Sequence, residues 1–142
     1  MPRPRDHIVG VWWSGAEEDT IPAGDAAKGY IAAGFNVAGA NFPVIQEINA
    51  MYKEQGKAAP KEQESSATYN RGVYQAAVHV EAIRQAIKAK GGAKPTGEDV
   101  RAGFENVKAA DLAWLGIAPP LALSPTDHEG GGWVQVWTVK GG

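Results

Sequence analysis

Residues 65–92, SSATYNRGVYQAAVHVEAIRQAIKAKGG, restrict the possible folds more than any other stretch of this chain. Apolar side chains recur at Tyr69, Val73, Ala76, Val80, Ile83 and Ile87. That spacing predicts one stripe along an α-helix. Ser66 is placed to cap the N-terminus, its hydroxyl accepting from a backbone N–H that the first turn leaves free. Gly91 is placed to close the last turn in a left-handed conformation. Asn70, Arg71, Gln75, Gln85 and Lys88 fall on the other side, which is expected to face water. Such a helix draws most of its stability from packing its stripe, so the rest of the chain must supply a partner layer.

The 142 residues are enough for one domain with one core. Leu, Ile, Val and Phe make up roughly a fifth of them, a thin supply for a core. A thin core is what a piece of a larger protein shows. Fourteen basic residues against 16 acidic give a net charge of −2. That balance offers no electrostatic footprint for nucleic acid and no basic amphipathic stretch for a membrane surface. With no cysteine, thiolate and disulfide chemistry are excluded. The start, MPRPRDHIVG, is basic but lacks the apolar core of a secretory signal, and no apolar run is long enough to span a bilayer.

In chain order, residues 8–13 (IVGVWW) are predicted to form a buried strand. Residues 15–29 are polar and turn-rich, with one helical turn at residues 24–28. Residues 30–40 form either a second strand or an extended crossover, weakened by Gly34 and Gly39. Asn41 is the expected cap of a helix reaching about Gln55, with Pro43 in its first turn and Gly56 at its end. Residues 57–64 read as an exposed linker. Thr96 and Asp99 carry the spacing of a capping box for a third helix, its buried face being Val100, Phe104 and Val107. Leu112, Trp114 and Leu115 suggest a further short turn. Residues 121–123 and 133–139 are predicted to pair as a hairpin across the DHEGGG loop. Strands at both ends around a helical middle give an α/β fold class.

Candidate chemistry is sparse. His128, between Asp127 and Glu129, would need Ser14 or Ser124 as nucleophile to make a small stand-alone hydrolase. Neither serine sits in a G-x-S-x-G elbow. His7, His79 and His128 lack the spacing of a metal site, and Gly130-Gly131-Gly132 lacks the Lys-Ser/Thr of a phosphate loop. No catalytic residue, metal or cofactor is therefore expected. Trp12, Trp13 and Ser14, at the C-terminal end of the first strand, suit the lip of a ligand cleft, because open α/β sheets bind there. Alternation along the strand sends one indole inward and one towards the cleft. Glu17, Glu18 and Asp19 beside them could attract an ammonium group or form a solvated acidic turn.

Five strings occur in order: GVWWSGAEEDTIPAGDAAKGY, ANFPVIQEI, YNRGVYQAAVHVEAIRQAI, TGEDVRAGFENV and PPLALSPTDHEGGGWVQVW. On these the chain resembles the C-terminal part of the solute-binding proteins of branched-chain amino acid ABC importers, the type I periplasmic binding fold. The resemblance implies a non-enzymatic binding module in the periplasm that holds a small solute between two lobes and hands it to an ABC permease. It implies that residues 8–29 and 117–142 belong to the second lobe, with a C-terminal hairpin, and that residues 41–107 form first-lobe helices. It places Trp12, Trp13 and Ser14 at the cleft. Trp12 stands roughly where some relatives carry a carboxylate for the solute's ammonium, which suits an aromatic or amide-like solute.

The family's serine and threonine anchors for the solute carboxylate lie in upstream segments that this sequence does not contain. A chain of this extent is therefore expected to bind no amino acid with useful affinity. It is also expected to leave part of the residue 69–87 stripe uncovered, and so to self-associate or be marginally stable.

Overall fold

Three short strands bring the two ends of the chain into one sheet. The computed structural model describes residues 8–140. In it, β1 (Val9–Gly10) runs parallel to β2 (Ile31–Gly34), and β3 (Gln135–Thr138) lies antiparallel on the far side of β2. Gly10, Ala32 and Trp137 are in register across the sheet. A parallel pair needs a crossover; α1 (Glu17–Ala23) and the 3₁₀ turn Gly24–Ala27 supply it. Three acidic residues in the first turn of α1 suit the positive end of its dipole. Pro22 breaks the pattern that a reading from sequence alone would need to find this helix.

Two expectations for the strands are corrected. Residues 8–13 do not form a buried strand: only Val9 and Gly10 pair, while Ile8, Val9 and Val11 are exposed. β1 is an edge strand, and its outward side chains have no second layer over them among the described residues. The C-terminal hairpin is replaced by the pairing of β3 with β2. Residues 121–123 fold back only locally, through the Ala122 N–H to Gly130 carbonyl bond and a bridge between Ser124 and Asp127. Leu121 and Leu123 spend their side chains on the helical core instead.

The helices form the second layer: α2 (Pro43–Glu54), the short α3 (Glu62–Ser65), α4 (Ala67–Ala89), α5 (Gly97–Phe104) and α6 (Ala109–Leu112). Phe42, not Asn41, precedes α2, whose Pro43 occupies the first helical position. Ser66 caps α4 as expected, accepting the Tyr69 N–H at 3.0 Å. At the other end Gly91, at φ 61°, and Gly92 donate back to Lys88 and Ile87, a Schellman closure. Thr96 and Asp99 form the capping box of α5. The linker at residues 57–64 contains the start of α3, and its Gln63 is buried. The core joins Val44 and Ile45 of α2, Val78 and Ala82 of α4, and Val107, Leu112, Leu115 and Ile117.

Only the start of the predicted stripe packs: Tyr69 and Val73 lie against the core, while the most buried residues of α4 are on another side. Ala67, Asn70, Arg71, Val78, Ala82 and Ala86 are buried, whereas Val80, Ile83 and Ile87 are exposed. Two causes combine. Alanines let α5 approach closely, and Gly103 lies directly against the Ala82 carbonyl. Near its start, α4 must also satisfy the backbone of the segment that leaves the sheet. Asn70 Nδ2 donates to the carbonyls of Val37 (2.9 Å) and Gly39 (3.0 Å), and Asn36 Nδ2 donates to that of Ala67 (2.7 Å). Polar side chains are thereby buried where a hydrophobic stripe would leave carbonyls unpaired.

Candidate functional site

A cleft of about 270 Å³ opens where α1, the sheet and the first turns of α4 meet. Small residues set its floor: Ala32, Ala33 and Gly34 of β2. Trp12 and Trp137 contribute aromatic surface, and Glu17, Thr20, Asn36 and Arg71 contribute polar groups. Gly15 lies against the Ala32 side chain, so a larger residue there would push the start of α1 off the sheet.

Arg71 reaches this cleft from α4. Its guanidinium carbon lies 4.3 Å from the Trp12 ring centroid, 5.4 Å from that of Trp13 and 5.3 Å from that of Phe35. Its Nε donates to Asn36 Oδ1 (3.3 Å) and its Nη2 to the Trp12 carbonyl (3.2 Å). Burial pushes its pKa down from the ordinary value, and the charge of Glu18 opposes that. Burial alone would push the Glu18 carboxyl up. Hydrogen bonds from the Ser66 hydroxyl, its own backbone and Thr68 outweigh burial and hold it below its ordinary range. Helix α4, the Trp12 loop and α1 are thus joined through Arg71 and Ser66.

The three residues singled out from the sequence separate here. Trp12 lines the cleft. Trp13 is 66% exposed and stacks on Trp12, with ring centroids 4.2 Å apart and planes tilted by 31°. Neither indole enters the helical core. Ser14 turns to Tyr30, sharing a hydrogen bond of 2.8 Å, and donates to the Val11 carbonyl. Glu17 of the acidic cluster lines the cleft, while Glu18 is taken up by Ser66. Arg71 and Asn36 were missed. Arg71 lies next to Asn70 on a helix face expected to be wet, and the usable signal was the pair of adjacent indoles, which offer a guanidinium a stacking surface.

The residues drafted for a hydrolase do not assemble. The His128 ring faces Glu105, 3.4 Å away. Ser124 Oγ accepts the Asp127 N–H and lies 3.4 Å from Thr126. Ser14 is occupied by Tyr30. His7 lies outside the described residues. Among those described, no three metal-ligating side chains gather, and no helix is long and apolar enough to cross a membrane.

No family model matches the chain, and no curated protein matches it. Solved structures do. One, described as an ABC transporter permease from the Pseudomonas fluorescens group, matches 99% of this chain at 39% identity with a TM-score of 0.81. Another, a branched-chain amino acid ABC transporter from Thermus thermophilus with bound valine, matches 97% at 23% identity with a TM-score of 0.77. The matches cover 35% and 37% of those chains, so this chain spans about a third of their length. Both carry transport names rather than enzyme names. The resemblance read from the sequence is borne out: the chain has an α/β fold corresponding to part of a periplasmic-binding-protein fold, similar to part of a branched-chain amino acid ABC transporter protein.

Proposed function

We propose that this chain is part of the solute-binding component of an ABC importer, and that the cleft beside Trp12 is one wall of the site that holds the solute. The similarity over nearly the whole chain to a transporter protein with bound valine carries this reading. The aromatic and small-residue lining of the cleft supports it, since small-molecule sites are concave, mostly apolar and carry a few placed polar groups. The solute is a branched-chain amino acid or a related amide or aromatic compound. Trp12 presents the flat surface, Trp13 backs it, and Ser14 fixes the loop that carries both. On this reading residues 8–29 and 117–142 belong to one lobe and residues 41–107 to the other, with residues 30–39 crossing between them; Ile117, Leu121 and Leu123 pack on the helices. The permease of the importer as partner and the periplasm as location belong to the same proposal.

One wall of a cleft gives weak, local binding, so the affinity expected of the isolated chain is roughly millimolar, about −4 kcal/mol. Two-dimensional NMR of the tryptophan indole N–H groups resolves it. Valine, leucine, phenylalanine and benzamide should shift the Trp12 and Trp137 signals saturably and leave Trp114 in place. Shifts that are absent, or equal at Trp114, would overturn the proposal.

A further inference from the structure

The cleft contains a buried cation without a paired anion. Arg71 is 7% exposed. A guanidinium carries five N–H donors in a fixed fork. Two of them meet Asn36 and the Trp12 carbonyl. Among the described residues no carboxylate comes within ion-pair distance of Arg71; Glu18 acts on it only through its longer-range field. Nη1 makes no hydrogen bond to the described residues. Burying a charge is costly unless something compensates it, and here aromatic faces, two neutral acceptors and the field of Glu18 share that role. Stacking on Trp12 fixes the plane of the guanidinium while leaving donor edges free.

We propose that Arg71 is the carboxylate anchor of this cleft, selecting a small organic monoacid whose apolar body lies against Trp12 and Trp137. The assignment rests on the reading of the cleft as a solute site and adds the charge of the solute to it. Guanidinium and carboxylate pair in a bidentate fork that an amide cannot reproduce. Glu17, on the same cleft, sets the other limit: it repels a second negative charge, and it can meet an ammonium if the solute is an amino acid. Diacids are therefore excluded. The cleft volume of about 270 Å³ suits a solute of the size of benzoate or leucine.

Benzoate and benzamide, equal in shape and different in charge, test this on the unaltered chain. Indole NMR titration should show benzoate binding about tenfold more tightly than benzamide, because charge-assisted hydrogen bonds are roughly twice as strong as neutral ones. In Arg71→Gln the ratio should fall to about one, and Arg71→Lys should retain part of it. Phthalate, the diacid, should bind more weakly than benzoate. If benzamide shifts Trp12 and Trp137 as tightly as benzoate in the unaltered chain, the anchor is overturned while the solute cleft stands. If neither compound shifts them, both fall. The ratio in Arg71→Gln is read only with both compounds still shifting Trp12 and Trp137 saturably, and Arg71→Lys, which keeps the charge, is the second variant that separates lost charge from a lost cleft.

Discussion

Gly103 of α5 rests on the Ala82 carbonyl of α4, so close that a Cβ on Gly103 would overlap that oxygen and lie 3.3 Å from the Ala86 nitrogen. The contact explains why α4 carries alanine at positions 82 and 86, where it meets α5. Two helices whose backbones come this near have no room for Val or Ile between them. Val80, Ile83 and Ile87 turn outwards instead.

Gly103→Ala should therefore destabilise the chain even though alanine is the better helix former. The atoms it meets are backbone and cannot rotate away. Overpacking of this kind costs about 1–3 kcal/mol, against a gain in helix propensity of about 1 kcal/mol. Urea denaturation should show a lower midpoint with an unchanged slope. Gly72 lies on the same helical layer with open space around the position of its Cβ. Gly72→Ala should leave the midpoint unchanged or raise it, and an equal loss in both variants would refute the packing explanation.

Acid should loosen the start of α5 through Asp99. The Lys90 ammonium (2.7 Å) and the Thr96 hydroxyl and N–H hold its carboxyl well below the ordinary 3.8. A carboxyl with a depressed folded pKa contributes stability above its unfolded pKa and loses it as pH falls through the folded one. The contribution is thus complete at neutral pH and fades below about pH 4. Thermal unfolding of Asp99→Asn should begin at a lower temperature than the unaltered chain at pH 7, and the gap should narrow as pH drops towards 2. A gap that stays constant over that range would show that the capping geometry, not the charge, is what Asp99 supplies.

Local signals were legible in the sequence and long-range ones were not. The Ser66 cap, the Gly91 closure and the Thr96–Asp99 box each involve residues within one turn, and each is where the spacing placed it. The buried side of α4 depends on residues far along the chain. Asn70 is wholly buried because Val37 and Gly39 present carbonyls to it, and nothing near position 70 announces them. The short sheet was misread for a related reason. β3 finds its partner in β2, about a hundred residues earlier, and the nearer residues 121–123 pack on helices instead. Of the residues that the sequence points to at the strand end, Trp12 lines the cleft and Trp13 and Ser14 do not. Arg71 is 59 residues away and reaches Trp12 only because the crossing segment is pinned to α4.

The residues that α4 turns outwards form an exposed apolar stripe. Val80, Ile83 and Ile87 are 47%, 40% and 38% exposed and share one stripe. A second apolar surface lies on the sheet, where Val9 and Val136 occupy the face opposite Gly10, Ala32 and Gly34. An exposed aliphatic stripe of this length gains from meeting its own copy, because pairing removes apolar area from water at about 25 cal/mol per Å². Sedimentation velocity should show the average sedimentation coefficient rising with protein concentration. Replacing Val80 and Ile83 together by glutamate should suppress the rise with the helical circular dichroism unchanged, because both side chains are exposed and neither belongs to the core cluster. If association persists in that variant, the sheet face is responsible, and Val136→Lys should abolish it. A sedimentation coefficient that stays flat with concentration in the unaltered chain would refute self-association outright.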